Sequence, residues 1–168
     1  MTEQEKFMKA ALKLAHKAAE EGEVPVGCVV VCDGKIVGRG RNRRETKKTA
    51  LGHAELEAIG KACRKLGGWR LHKCDLYVTL EPCPMCTGAI INARIRTVYY
   101  GAPDPKAGSC GTLVNLFELP YNHQPAVVGG LLEDECAGAL RDFFRGLRER
   151  KKREKQERQR AQEPITEA

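Results

Sequence analysis

Two short clusters in this sequence contain residue types that can bind a metal ion and move a proton. The first is His53-Ala54-Glu55, and the second is Pro82-Cys83-Pro84-Met85-Cys86. Cys83 and Cys86 lie three residues apart, so both sulfurs can face one point when they occupy the first turn of a helix. The partial positive charge at a helix start favours thiolates, the form of cysteine that binds metals. With His53, the cysteines make a candidate metal site with three protein ligands.

The number of ligands distinguishes a catalytic zinc site from a structural one. A catalytic zinc keeps one position open for water and lowers the pKa of that water to about 7. Glu55 is then the candidate base that accepts the proton of the water and returns it to the substrate. The alternative is a structural zinc closed by a fourth cysteine, for which Cys110 and Cys28 are the candidates.

Hydrophobic periodicity and turn residues predict the elements that position these clusters. Thr2 and Glu5 match a capping box, Asp33-Gly34 is typical of a hairpin turn, and Pro84 suits the first position of a helix. Helices are predicted over residues 2–21, 53–66, 84–93 and from 133 onward. Strands are predicted over residues 27–32, 35–40, 75–80, 97–100 and 126–128, and residues 41–52 and 101–111 are predicted loops.

This order of elements predicts an α/β fold. Strand–helix–strand units favour parallel pairing, and the opening hairpin makes the sheet mixed. The natural arrangement is a three-layer α/β/α domain with about five strands. We predict one domain over residues 1–150, followed at 151–168 by a charged helical extension or a disordered tail.

Composition and charge narrow the function classes. No apolar run approaches the ~18 residues that span a bilayer, and the charged start is unlike a secretory signal. A cytoplasmic protein without a disulfide framework is therefore expected, with the other six cysteines as small buried hydrophobes. The net charge is +7, and residues 145–160 contain nine Lys or Arg against three Glu. A nucleic-acid footprint based on charge would lie in that segment.

The two clusters, in this order, resemble the signature of the zinc-dependent nucleobase deaminases of the cytidine deaminase-like superfamily. The resemblance runs from Glu5 to Arg148 and is strongest to the bacterial tRNA-specific adenosine deaminases. Guanine deaminases carry similar clusters, so the stretches that discriminate lie elsewhere. They are residues 22–27, the Arg41-Asn42-Arg43 triplet, residues 101–108, and residues 134–145.

This resemblance implies roles for further residues. Asn42 would hydrogen-bond the flipped base or its ribose, and Val26 would line the pocket. Asp104 and Lys106 would contact ribose and phosphate beside the target. The C-terminal helix would lie against the tRNA anticodon stem-loop through Phe143, Arg145 and Arg148. The family is usually homodimeric, so a homodimer is expected.

Several of these residues also have a purely structural interpretation. Asn42 and Asp104 are common turn formers. At least one of Phe143 and Phe144 is expected in the core. The charged tail mixes Glu with Lys and Arg, as a solvated helix face does.

The resulting hypothesis is zinc-dependent conversion of adenosine to inosine at the wobble position of a tRNA anticodon. Two alternatives stay open at this point. One is a deaminase of a free base or nucleoside, of the guanine or cytidine type. The other is a zinc-stabilised RNA-binding module without catalytic activity.

Overall fold

The computed structural model describes residues 1–165 and contains a mixed sheet between helices, as predicted. The helices are α1 (Glu3–Glu20), α2 (Ala54–Leu66), α3 (Pro84–Asn92) and α4 (Glu133–Gln162), with a short 3-10 turn at Leu116–Glu118. The strands are β1 (Gly27–Cys32), β2 (Lys35–Arg41), β3 (Cys74–Leu80), β4 (Thr97–Ala102) and β5 (Ala126–Gly129). The predicted order of helices and strands is confirmed, and only the 3-10 turn was not predicted.

The five strands lie in the order β2-β1-β3-β4-β5. β1 pairs antiparallel with both β2 and β3, whereas β3, β4 and β5 are parallel. In the parallel half, the crossover through α3 returns the chain to the end of the sheet at which β3 began, so β4 runs in the same direction as β3. The ends of β3 and β4 therefore lie next to each other, with Leu80 paired to Ala102.

Both faces of the sheet are covered, so the three-layer α/β/α fold is confirmed. Along β1, Cys28 and Val30 pack into the cluster that holds residues of α2 and α3. Val29 and Val31 pack into the cluster that holds residues of α1 and α4. Successive side chains of a strand point to opposite faces. This explains why β1 is apolar throughout instead of alternating.

Glycines in β2 allow α2 to lie unusually close to the sheet. A Cβ at Gly40 would lie 2.1 Å from the backbone oxygen of Ala54, and one at Gly38 would lie 2.1 Å from that of Ala58. No real Cβ tolerates such contacts, so the helix rests on β2 backbone. Because α2 begins next to His53, this close contact sets the position of the first metal-ligand cluster.

The C-terminal helix α4 extends well beyond the body of the protein. Its 30 residues span about 45 Å at 1.5 Å per residue. Cys136 is buried, Leu140 and Leu147 are partly buried, and every described residue from 148 to 165 is exposed. The sequence left an extended helix and a disordered tail as alternatives, and the helix continues to Gln162. None of the described helices combines the length and the apolar character needed to cross a membrane.

Candidate active site

Two helix starts bring the predicted metal ligands together. His53 is the N-cap of α2, and Cys83 is the N-cap of α3 with Pro84 directly after it. Both caps have extended backbone and neither side chain makes a capping hydrogen bond. Their side chains are therefore free to turn toward the space between the two helices. Cys86, in the first turn of α3, is fully buried there.

The distances from the histidine nitrogen to the two cysteine sulfurs match those of a tetrahedral zinc site. His53 Nδ1 lies 3.6 Å from Cys83 Sγ and 3.4 Å from Cys86 Sγ. Bond lengths of about 2.3 Å to sulfur and 2.0–2.1 Å to nitrogen at tetrahedral angles predict about 3.6 Å between such atoms. All three atoms lie within 4.8 Å of one another. The donor set and its spacing fit Zn²⁺ bound through the Nδ1 atom of His53.

No fourth cysteine joins this cluster within residues 1–165. The metal-binding group of the described residues consists of His53, Cys83 and Cys86. Cys110 contacts the Thr87 hydroxyl instead, at 3.5 Å, and Cys28 lies fully buried in the core of the sheet. Three ligands are what a catalytic zinc site requires, because the fourth position must accept water or substrate. The geometry therefore disfavours the structural-zinc alternative.

The electrostatics of the two cysteines favour a thiolate in the cluster. A hydrogen bond from Cys86 and a second interaction with His53 lower the pKa of the Cys83 thiol to about 4, despite partial burial. The hydrogen bond to Cys83, together with burial, raises the pKa of Cys86. The hydrogen bond to Cys83 also raises the pKa of His53. The negative charge of one thiolate is thus stabilised within the cluster even before a cation binds. A bound cation would stabilise the second thiolate as well.

Glu55 lies in the first turn of α2 and is a buried carboxyl beside the metal ligands. Glu55 is 4% exposed, and burial raises the pKa of its carboxyl from the ordinary value. A carboxyl with a raised pKa is suited to accept and return a proton near neutral pH. Glu57, the other acidic residue of α2, forms ion pairs and does not line the pocket beside the metal ligands.

A pocket of about 210 Å³ opens onto these groups. Its floor includes His53, Glu55 and Cys83. Val26, Asn42 and Asp104, three of the residues that the resemblance assigned to substrate binding, line it as well. The remaining lining residues are Val24, Arg44, Ala54, Leu80, Glu81 and Ala107. The pocket therefore joins the metal cluster to loops from both halves of the sheet.

Asn42 and Asp104 have the structural role that their residue types suggested, and both also line the pocket. The Asn42 side chain donates to the Val24 carbonyl at 3.1 Å and accepts from the Arg44 backbone N–H at 3.1 Å. Asp104 Oδ1 accepts from the backbone N–H of Lys106 at 2.9 Å. Each side chain shapes its own loop and also faces the pocket. Their contacts with a substrate stay a prediction.

The other predicted substrate residues lie outside the pocket lining. Lys106 is exposed on the loop after β4. On α4, Arg145 pairs with Asp142, and Arg148 is exposed. The expectation that Phe143 or Phe144 lies in the core is wrong.

The position of α4 explains why neither phenylalanine is buried. Phe143 is only partly buried and Phe144 is 40% exposed. Cys136, Ala137 and Leu140 are the residues of α4 that pack on the sheet, since the helix then leaves the body of the protein. The two phenylalanine rings instead contact each other, with their centroids 5.4 Å apart.

Two buried carboxylates that sequence reasoning missed hold the pocket loops. Glu81 is 1% exposed and accepts hydrogen bonds from the backbone N–H groups of Asp104, Cys110 and Thr112 and from the Thr112 hydroxyl. Glu23, also 1% exposed, accepts from the backbone N–H groups of two residues of the loop before His53. A Glu directly before Pro82 was the only available signal for Glu81. No local pattern marked Glu23, because its partners lie more than 20 residues away.

Comparisons with known proteins agree with this site. The family described as "Cytidine and deoxycytidylate deaminase zinc-binding region" matches residues 1–102. The tRNA-specific adenosine deaminase of Bacillus subtilis (strain 168) is 54% identical over 153 residues, which cover 90% of this chain and 95% of that protein. The family description names the metal, and the His-Cys-Cys cluster supplies its ligands, so the cofactor is Zn²⁺.

Two solved structures distinguish a tRNA deaminase from a deaminase of free bases. A structure from a study of A-to-I editing by tRNA:A34 deaminases superposes with a TM-score of 0.78 and 48% identity, covering 80% of this chain and 99% of that one. The guanine deaminase of Bacillus subtilis superposes with a TM-score of 0.59 and 38% identity, covering 73% and 82%. Sequence identity, coverage and TM-score are all higher for the tRNA:A34 deaminase than for the guanine deaminase. The chain belongs to the cytidine and deoxycytidylate deaminase family and, within it, to the tRNA-specific adenosine deaminases.

Proposed function

We propose that this protein hydrolyses the exocyclic amine of adenosine at the wobble position of a tRNA anticodon, yielding inosine and ammonia. The observation that carries the proposal is the three-ligand His-Cys-Cys cluster with Glu55 buried beside it at the base of one pocket. The identity to tRNA-specific adenosine deaminases over 90% of the chain supports the choice of substrate. An unpaired loop base can swing out of its stack into such a pocket at little free-energy cost.

Zn²⁺ held by His53, Cys83 and Cys86 would supply an activated water as the nucleophile for C6 of the adenine ring. Glu55 accepts a proton from the attacking water. It delivers this proton to N1 of the ring. It then takes the proton of the hydroxyl now bonded to C6 and passes it to the amino group, so that the C6–N bond breaks, ammonia leaves and C6 keeps a carbonyl oxygen. Burial of Glu55 suits this role, because its raised pKa brings the carboxyl nearer to the pH at which the enzyme works.

The pocket walls would select and orient the base. We assign Val26 to the apolar wall and Asn42 to a hydrogen bond with the base or its ribose. Asp104 and Lys106 lie on the loop after β4 and would meet the ribose and phosphate of the flipped nucleotide. Phe143, Arg145 and Arg148 lie on α4, outside the pocket, and are proposed to contact the anticodon stem-loop.

The first experiment compares substrates. Zinc-loaded protein is incubated with an anticodon stem-loop that carries A at the wobble position, and separately with guanine, cytidine and adenosine. Inosine in the stem-loop, with ammonia released in equal amount, is the expected result. Deamination of a free base or nucleoside alone would assign the protein to the small-molecule enzymes. Zinc binding with no ammonia from any substrate would indicate a non-catalytic RNA-binding module.

A Glu55→Gln variant tests the catalytic assignment. We expect turnover to fall by about 10²- to 10⁴-fold, the usual contribution of a general acid–base group. Zinc content should stay at one ion per chain, since Glu55 is not among the metal ligands. Retained turnover would refute the role of Glu55 as the proton-transfer group.

We also propose that the protein acts as a homodimer in the cytoplasm, where its tRNA substrate is found. The loop between β4 and β5 exposes Leu113, Val114, Leu119 and Tyr121, each more than 40% exposed in the isolated chain. Apolar side chains grouped on one loop are typical of an interface between subunits. Light scattering coupled to size-exclusion chromatography should give twice the 18.6 kDa chain mass. A monomeric mass at the concentration of the activity assay would contradict the dimer.

A further inference from the structure

The last turns of α4 project from the body of the protein and lie away from the zinc site. Leu147 is the last partly buried residue of the chain, and residues 148–162 continue the helix with every side chain exposed. This extension is about 22 Å long at 1.5 Å per residue. Its only apolar residue is Ala161. Because it has no apolar face, the helix lacks what a membrane surface or a packed helical partner would require.

The charges of this helix are segregated on its surface. At about 100° per residue, six basic residues fall within an arc of about 140°. We call them the basic stripe: Arg145, Arg148, Lys151, Lys152, Lys155 and Arg158. Glu149, Glu154 and Glu157 all fall outside this arc. The other side of the helix, which we call the mixed face, interleaves these acids with Arg150, Arg153 and Arg160.

The stripe weakens the helix in isolation. Positions three and four apart are neighbours on a helix, and like charges there repel. The stripe contains such pairs at Arg148 and Lys152, at Lys151 and Lys155, and at Lys152 and Lys155. Opposite charges four apart occur within the mixed face, as at Glu149 and Arg153, and at the borders of the stripe, where Glu149 follows Arg145 and Glu154 precedes Arg158. A helix that is only solvated gains nothing from this segregation. A polyanion along the stripe would neutralise its repulsion.

Within residues 1–165 the stripe is also largely without acidic partners. The ion pair that the structure gives it is Arg145 with Asp142, at its inner end. From Arg148 outward its side chains are exposed and make no ion pair among the described residues. Five cations in a row without an ion pair among the described residues, next to the paired Arg145, are the electrostatic footprint of a nucleic-acid backbone.

We propose that the basic stripe binds the phosphate backbone of the tRNA substrate outside the anticodon loop. α4 begins near the pocket, since Cys136 packs on Gly101 at the end of β4 and Asp104 follows in the next loop. One rigid helix therefore connects the pocket edge to the stripe. The inference rests on the proposed function for the identity of the RNA. It adds a second contact region that contributes affinity through charge and not through the base.

Two variants with equal charge loss test this proposal. The stripe variant carries Lys151→Gln, Lys152→Gln and Lys155→Gln. The mixed-face variant carries Arg150→Gln, Arg153→Gln and Arg160→Gln. Glutamine is a good helix former, so both helices should persist. Binding of each full-length protein to a complete tRNA transcript is measured over a range of KCl concentrations, together with kcat.

The stripe variant should bind tRNA about 10- to 100-fold more weakly at 100 mM KCl. The slope of log Kd against log salt should fall by about 2–3, as expected for three lost phosphate contacts. The mixed-face variant should change Kd by less than about threefold, although its net charge is the same. kcat and the thermal midpoint should match the unmodified protein in both variants.

Equal losses in the two variants would overturn the proposal, because net charge and not the stripe would then set affinity. Unchanged binding by the stripe variant would overturn it as well. Failure of the proposed function has a different signature, namely no inosine from the unmodified protein. The salt dependence of binding is measured without turnover, so the two failures are distinguishable.

Discussion

Replacing Gly40 by alanine should impair catalysis from outside the pocket. The new Cβ would lie 2.1 Å from the Ala54 carbonyl oxygen and 2.8 Å from the Ala58 backbone nitrogen. Both atoms belong to the backbone of α2, so no flexible side chain can yield. Restoring an ordinary carbon–oxygen contact of about 3.2 Å requires α2 to retreat by about 1 Å. Because Ala54 lies between His53 and Glu55, that shift moves a metal ligand and the proposed proton-transfer group together.

The size of the effect follows from this displacement. A misplacement of about 1 Å in a catalytic group can lower the rate by about 10²-fold. Overpacking at this site should lower the free energy of unfolding by about 1–3 kcal/mol. The assay is kcat/KM for deamination of the anticodon stem-loop, with thermal unfolding and zinc content measured on the same samples.

Two matched alanine variants separate catalysis from stability. Gly60→Ala lies on α2 itself, where the nearest atom to a new Cβ is the tip of Arg64 at 3.6 Å. It should leave activity unchanged and add up to about 1 kcal/mol of stability. Gly38→Ala meets α2 one turn farther from His53, at the Ala58 oxygen, so it should cost similar stability but less activity. Wild-type activity and stability in Gly40→Ala, or a larger activity loss in Gly38→Ala, would refute this reasoning.

Three further predictions concern the zinc ligands and the buried carboxylates. Cys86→Ser should lower the zinc content below one ion per chain and abolish deamination, because it removes a thiolate ligand. Zinc is measured by atomic absorption, and a full zinc content would contradict this prediction. Glu81→Gln should keep zinc but lower the free energy of unfolding by about 2–6 kcal/mol and reduce kcat/KM, since two buried donors lose their acceptor. An unchanged thermal midpoint would refute the role of Glu81 in holding the loop after β4.

The third of these uses pH. Burial by itself raises the pKa of Glu23, but hydrogen bonds from Thr46 and Glu45 outweigh it and hold the pKa below the ordinary 4.5. A depressed pKa stabilises the folded state above pH 4.5, and this stabilisation disappears as the pH falls through the folded-state value. The stability difference between the protein and Glu23→Gln should therefore be full at pH 7 and shrink below pH 4.5. A difference that is constant from pH 7 to pH 3 would contradict the linkage.

Local pattern was enough to predict the elements and the metal ligands. The α1 capping box, the Asp33-Gly34 turn and the helix start at Pro84 depend on neighbouring residues, and each occurs where predicted. Cys83 and Cys86 occupy one helix turn, so their convergence is also a local property. These features could be read from the sequence because the groups that determine them lie within about four residues.

The buried network around the pocket could not be predicted in this way. Glu81 meets Thr112 across 31 residues, and Glu23 meets Thr46 across 23. A glutamate in the sequence looks like any exposed charge, and only the folded chain brings backbone N–H donors to it. The expectation that Phe143 or Phe144 lies in the core is wrong for the same reason, since their burial depends on where α4 leaves the sheet.

The sequence by itself determined which residues could bind zinc, which helices carry them and where the positive charge lies along the chain. These properties follow from residue type and short spacing. Only the tertiary structure decided that His53 meets Cys83 and Cys86 from a different helix and that no fourth cysteine of the described chain joins them. It also decided that Asp104 faces the same pocket as Asn42. Such contacts join segments far apart in the chain, and their distances are set by how α2 and α3 pack on one sheet.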